Sequence, residues 1–374
     1  MNLLYDGIAF HEGMQGGGIH RYATELISRV AEIPAVDATV YGNCQQAIGE
    51  PQVHQIQEFR LRENHRFCHW AKRINTVTDD LTGHLLRFRA AKPDIFHLTY
   101  YRMPCRFGLV VVTLYDTLME RFPQFFLGPY CDRVRHAKRQ SLQAADHVIC
   151  ISESCRQDAI ECFNVPPDRT SVIYLAANLS PNNFPGSIPS SLVDRPYLLH
   201  VGHRWEHKNF ARLLQAFAAL SYSRDLLLVS VGGLPDWSPS EVSWMQQLGI
   251  GDRVLKLGRV EDSTLHQLYQ SALCTVYPSL YEGFGLPVLE ALQAGGIVAT
   301  SNTSSLPEVA GAAGIYFDPT QVETIVVALT HAIELSPQQR QTQIALGQKQ
   351  ASQFSWETMA QQTYQVYQQL LQAR

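Results

Sequence analysis

The sequence predicts an α/β protein of two doubly wound, mostly parallel sheets facing each other across a cleft. Three observations carry that expectation. Short apolar runs alternate with amphipathic stretches along the whole chain. One segment without periodicity, rich in Pro, Asn and Ser, interrupts the alternation at Ala177–Pro189. The length of 374 residues exceeds what one core usually serves, so two domains are expected.

In the first half the strand candidates are Asn2–Tyr5, Thr39–Gly42, Asp94–Leu98, Leu109–Leu114, His147–Ser152 and Ser171–Leu175. They show little alternation, as expected of strands covered on both faces. Helices are expected over Ile19–Ile33, Asp79–Ala91 and Tyr130–Ala145, with Ser152 capping another that runs to Phe163. In the second half the strands are Tyr197–Val201, Leu226–Val231, Val254–Leu257, Leu273–Tyr277, Ile297–Thr300 and Ile315–Phe317. The helices between and after them are Asn209–Leu220, Glu241–Leu248, Ser263–Ser271, Pro287–Ala294, Val322–Leu335 and Pro337–Gln348. This gives domains over residues 1–180 and 190–355, followed by a helix from Trp356 whose buried face would be Trp356, Met359, Thr363, Val366, Tyr367 and Leu370.

Apolar residues make up 45% of the chain, ample for two cores, and charged residues 17%, which does not indicate disorder. The net charge of −4 is uneven, the first half being the more basic, but not in the manner of a nucleic-acid binder. None of the eight cysteines forms Cys-x-x-Cys, and several stand among apolar residues, so reduced core thiols in the cytoplasm are expected. The N-terminus lacks a basic leader, and runs such as Phe107–Tyr115 are too short to span a bilayer.

The strongest chemical signal is Tyr277-Pro-Ser-Leu-Tyr-Glu-Gly-Phe-Gly-Leu-Pro-Val-Leu-Glu290. A strand runs into a loop with two glycines, and the loop feeds a short helix with Pro287 in its first turn. Free backbone N–H groups and the positive helix end form an anion site there, most often for phosphate. Glu282 on the loop and Glu290 in the helix flank it, and carboxylates accept hydrogen bonds from hydroxyls. Sugar at one side, diphosphate in the middle and ribose at the other match a nucleotide sugar.

Glu282-Gly-Phe-Gly-Leu-Pro with Glu290 resembles the paired-glutamate signature of retaining glycosyltransferases of GT-B fold, family 4. The resemblance covers nearly the whole chain. It implies that Glu282 contacts the donor sugar, that Glu290 binds ribose, and that Phe284, Gly285 and Leu286 lie against the donor. It places Arg204 and Lys208, which follow the Tyr197–Val201 strand, on the diphosphate, where a guanidinium fork and an ammonium suit phosphate oxygens. It brings the backbone of Gly17 and Gly18, in Gly16-Gly-Gly-Ile-His-Arg-Tyr22, to the donor phosphate across the cleft, and that of Val260 to the base. It places Asp116 among the catalytic residues, while Tyr115 stands where relatives carry a histidine. His97 is a further candidate for the cleft.

The resemblance further implies a terminal helix crossing back to the first domain. It implies hexosyl transfer to a glycan or lipid-linked acceptor in polysaccharide biosynthesis, with UDP-glucose the expected donor and GDP-mannose the alternative. A phosphorylase, an epimerase or a non-catalytic scaffold of the same fold remain the other readings. No Asp-x-Asp occurs, so no metal or other cofactor is expected. His203 and His207 precede the next helix without a third ligand. Reversible contact with the inner face of a membrane is expected from Phe59-Arg-Leu-Arg62, Arg66–Ile74 and a second basic run at Arg133, Arg135, Lys138 and Arg139.

Overall fold

The computed structural model describes residues 1–10, 17–41, 53–56, 93–101, 108–178, 187–220, 225–233 and 236–374. Seven strands, β1 (Asn2–Asp6), β2 (Asp37–Tyr41), β3 (Val53–Ile56), β4 (Ile95–Leu98), β5 (Leu109–Leu114), β6 (His147–Cys150) and β7 (Thr170–Val172), form one sheet ordered β3-β2-β1-β4-β5-β6-β7. Six more, β8 (Tyr197–Val201), β9 (Leu227–Val231), β10 (Val254–Lys256), β11 (Cys274–Tyr277), β12 (Val298–Ser301) and β13 (Gly314–Phe317), form a second, ordered β10-β9-β8-β11-β12-β13. Every strand pair is parallel, in β1–β2 with Leu4 opposite Thr39 and in β8–β9 with Leu199 opposite Val229. Strand order reverses between β1 and β4, and again between β8 and β11. Ligands of open α/β sheets bind outside the carboxyl ends of the strands at such a reversal.

Among the described residues the helices around the first sheet are α1 (Gly18–Ala31), α2 (Leu118–Arg121), α3 (Pro129–Ala144) and α4 (Glu153–Phe163). Those of the second half are α5 (Phe210–Ala219), α6 (Pro239–Gln247), α7 (Asp262–Ser271), α8 (Leu286–Gln293), α9 (Leu306–Ala310), α10 (Val322–Glu334) and α11 (Pro337–Ala351). Their ends follow local chemistry. Ser152 caps α4 by accepting from Cys155 N–H, and Asn164 ends it in the left-handed region at φ 55°. Ser238 with Glu241, and Ser336 with Gln339, form reciprocal capping boxes on α6 and α11.

The last helix, α12 (Trp356–Gln372), buries Trp356, Met359, Thr363, Val366 and Tyr367. It packs on α1 and sends the Tyr367 hydroxyl between His97, at 2.5 Å, and Tyr5, at 3.5 Å, in the first sheet. The end of the chain thus lies against its beginning, and one continuous apolar core draws residues from both halves.

Three elements were not anticipated, among them the single turn of α2. β3 offers only four residues, apolar at its two ends alone, and α9 is five residues long with Pro307 near its start; neither is long enough to show a period. The expected helix at residues 79–91, the aromatic and basic stretch at 59–74, the cysteines at 44, 68 and 105, and the central part of the linker lie outside the described residues. The second basic run is not one solvated face. Lys138 is 1% exposed and donates to Glu120 and to the Asp116 carbonyl, and Arg135 is bound by Asp132 and the Phe126 carbonyl. Among the described residues no helix is long and apolar enough to cross a membrane.

Candidate active site

The loops that leave β8 and β11, the two strands beside the reversal in the second sheet, meet at one point. Lys208, on the first loop, donates to Glu282 on the second at 2.6 Å and to the Tyr277 hydroxyl at 3.0 Å. Both side chains of the ion pair are largely buried. Burial works against the charge on Lys208, but Glu282 and Tyr277 outweigh it and hold the ammonium charged, above its ordinary range.

The loop is braced from behind. Glu282 N–H donates to Ser304 Oγ, and the Ser305 hydroxyl donates to the carbonyls of Glu282 and Phe284. Asn209 donates to the Pro278 and Pro319 carbonyls, and Leu280 N–H to that of His207, which joins the two loops.

Gly285 caps α8 at φ +108°, a conformation that favours glycine, and a side chain there would strike Leu306. No side chain caps α8; Pro287 has no N–H and Val288 N–H donates to the Gly285 carbonyl at 2.9 Å, so this end offers the Leu286 N–H and the positive end of the helix. Opposite stands the uncapped N-terminus of α1. A Cβ on Gly18 would come within 2.9 Å of the Leu286 side chain, and Gly17 is exposed beside it. Two positive helix ends therefore converge, an arrangement that favours an anion between them.

Glu290 is 8% exposed, accepting from Arg21 of α1 at 3.0 Å and from the Tyr269 hydroxyl at 3.1 Å. Burial raises its carboxyl above the ordinary range, while Arg21 and Tyr269 pull it back down. Asp116 stands at the end of β5. Its backbone neighbourhood abuts Gly283 so closely that any side chain at that glycine would collide with the Tyr115 carbonyl. Asp116 also accepts from Leu118 N–H at the start of α2, lies 3.7 Å from Lys138 Nζ, and has a side chain 40% exposed.

The remaining expected residues separate. Arg204 follows β8, but its Nε donates to Glu241 at 2.6 Å, its Nη2 to the Asp236 carbonyl, and its plane lies over Trp237. Only Nη1, 3.4 Å from the Gly232 carbonyl, is loosely held. The Phe284 ring packs against Tyr174 and Phe354, leaving its backbone at the site. Val260 lies in the turn after β10, where Gly258 carbonyl accepts from Gly232 N–H.

Tyr115 is no substitute for a cleft histidine: it is buried, donates to the Thr99 carbonyl at 2.7 Å, and burial holds its hydroxyl far above the ordinary range. His97 is a core residue, held between Tyr367 and Thr113 and lowered by burial to about 3. Arg21 and Tyr277 were not singled out from the sequence. Arg21 stands in the glycine loop without a role of its own, and Tyr277 ends a strand candidate.

The two halves also touch beside the site. Glu308 accepts from the N–H groups of Glu153 and Ser154 at the start of α4, at 2.7 and 2.8 Å. The Tyr281 hydroxyl donates to Asp158 at 2.6 Å, and Ser152 donates to the Gly283 carbonyl at 2.8 Å.

Residues 16–180 match the Glycosyltransferase Family 4 model, and residues 188–350 the model for Glycosyl transferases group 1. The fold is that of sucrose-phosphate synthase from Thermosynechococcus elongatus, with a TM-score of 0.75, 20% identity and full coverage of both chains. It is also that of WaaG, a glycosyltransferase involved in lipopolysaccharide biosynthesis, with a TM-score of 0.72, 18% identity and coverage of 98% and 99%. Two facing Rossmann-like halves of this kind are the GT-B fold, and the two family models make the chain a glycosyltransferase. O-antigen chain mannosyltransferase B of Escherichia coli is 30% identical over 369 residues, 94% of this chain and 95% of the relative. O-antigen chain mannosyltransferase RfbU of Salmonella typhimurium is 28% identical over 321 residues, 82% and 84% of the two chains. The chain belongs to glycosyltransferase family 4.

Proposed function

We propose that the protein transfers a mannosyl group from GDP-mannose, with retention at the anomeric carbon, to a hydroxyl of a growing glycan or lipid-linked acceptor in polysaccharide synthesis. The observation that carries the reading is the buried Lys208–Glu282 pair beside the uncapped N-terminus of α8. It sets a fixed positive charge and the positive end of a helix where a leaving diphosphate would develop charge, and a carboxylate within reach of sugar hydroxyls.

In this reading Lys208, the loosely held Nη1 of Arg204 and the helix-terminal N–H groups, Gly17 and Gly18 included, receive the diphosphate. Glu282 orients the sugar and Glu290 the ribose, whose hydroxyls replace or join Arg21. The backbone of Phe284, Gly285 and Leu286 lines the diphosphate, that of Val260 the base, and Asp116 faces the acceptor hydroxyl. The acceptor oxygen forms the new bond on the face that the diphosphate leaves, and the departing phosphate oxygen takes its proton. No divalent cation is required, because the charge is met by Lys208 and the helix ends. The mannosyl assignment replaces the UDP-glucose expectation on the strength of the relatives' names. Contact of the first half with an acidic membrane belongs to the same proposal, the exposed Leu127, Tyr130 and Arg133 being its described candidates.

The experiment offers GDP-mannose and UDP-glucose separately, each with chelator present, and measures release of nucleoside diphosphate. GDP release from GDP-mannose in chelator is the expected result. Release of UDP alone would reassign the donor, and activity restored only by Mg²⁺ or Mn²⁺ would overturn the metal-free mechanism.

A further inference from the structure

We propose that a strip of rings across the mouth of the cleft binds sugar units of the acceptor chain beyond the one that is glycosylated. The proposal rests on the reading above, that the acceptor is a glycan, and adds the place where the rest of that glycan lies.

The strip begins in a cavity of about 420 Å³ between the loop after β8 and the first turns of α5 and α6. Trp244 forms one wall and Trp205 another, 39% and 51% exposed. Trp205 stacks on His203 at 4.5 Å with the ring planes 6° apart. His207, 3% exposed, lies beneath the strip and joins its rings, 5.7 Å from Trp205 and 5.9 Å from the half-buried Phe126. Phe126 belongs to the first half, in the segment between α2 and α3, so the strip spans both halves. It lies beside the site, because the His207 carbonyl accepts from Leu280 N–H, two residues before Glu282.

The chemistry fits an uncharged, hydroxyl-rich chain. Sugar rings present C–H faces that pack on aromatic planes and hydroxyl rims that need polar partners. Exposed indoles beside polar groups supply both, as in most small-molecule sites. The charged side chains lining the cavity balance, Arg204 and Arg212 against Glu206 and Glu241, so the lining as a whole does not select an anion. The two histidines add no charge at neutral pH, since burial and the nearby Lys208 lower both, His207 to about 4.

Two variants test the strip, Trp205→Ala and Trp244→Ala, with Trp205→Phe as the conservative control. Transfer is measured to a mannose disaccharide and to a chain several sugars longer. The expected result is an unchanged kcat and KM on the disaccharide, a KM for the longer chain raised about tenfold, and recovery in Trp205→Phe. An equal rise on both acceptors would overturn the proposal. Affinity electrophoresis in gels containing mannan or dextran reads binding without turnover: the wild-type protein should be retarded and the double alanine variant should not. A wild-type protein retarded by neither glycan would also overturn the strip. Failure of the transferase reading would instead show as no nucleotide released from either donor.

Discussion

At the scale of single residues, Lys208 is the group on which the chemistry turns. A lysine with a largely buried side chain keeps its proton only because Glu282 and Tyr277 compensate for lost hydration. Lys208→Ala should lower kcat about 100- to 1000-fold, the usual effect of removing one preorganised donor to developing charge. Steady-state kinetics on a folded variant check it. Arg204→Lys should also lose activity, since a point charge cannot hold Glu241, the Asp236 carbonyl and the face of Trp237 at once.

The buried histidines predict a pH effect whose sign is fixed. His97 and His200 are lowered to about 3 and His207 to about 4, in each case chiefly by burial. Above about pH 6.5 neither the folded nor the unfolded chain protonates them. As pH falls below that value the unfolded chain takes up protons that the folded one refuses, so stability is lost toward acid. The melting temperature should fall steadily below pH 6.5, and the slope should be shallower in His97→Gln.

At the scale of elements, the passage from β11 into α8 depends on one backbone conformation. Gly285 sits at φ +108°, and a side chain there would approach Leu306 to 2.7 Å. Gly285→Ala should cost about 1–2 kcal/mol from the left-handed conformation alone, more with the collision, and should misdirect the first N–H groups of α8. Chemical denaturation reads the stability and donor titration reads the site; loss of donor binding is expected in both the presence and absence of acceptor. Glu241 links a second element to the cleft. It closes the capping box of α6 and also holds Arg204, so helix end and cation share one carboxylate.

At the scale of the whole molecule, the two halves are held together by contacts that surround the site. Arg21 meets Glu290 from across the cleft, Glu308 caps α4 of the other half, and Tyr281 reaches Asp158. Hinge closure around a ligand is a common use of such two-part folds. Glu308→Ala removes an acceptor for two helix-terminal N–H groups and should cost about 0.5–2 kcal/mol. The variant should show a larger radius of gyration in solution scattering and a raised KM for the donor. An unchanged radius would mean that the remaining contacts suffice for closure.

The sequence by itself determined the longer elements and the nature of the central loop, because both are local. β5 and β8 are bounded as their apolar runs predict, and Ser152 caps its helix as a serine before such a run should. The glycines around Phe284 and the proline after Leu286 already specify a turn into a helix. Partnerships were decided only by the tertiary structure. Lys208 and Glu282 lie 74 residues apart, and Arg21 and Glu290 269 apart. No period or propensity links such positions; the sheet order does, by bringing the carboxyl ends of β8 and β11 side by side. The same holds for residues whose type misleads. Lys138 reads as part of a surface run yet is buried on Glu120, His97 reads as a cleft candidate yet bridges Thr113 and Tyr367, and Arg204 reads as a phosphate fork yet is largely engaged by Glu241. A charged or aromatic side chain is long enough to serve either solvent, ligand or a distant partner. Which of these it meets depends on how remote segments pack, and one-dimensional patterning carries no record of that.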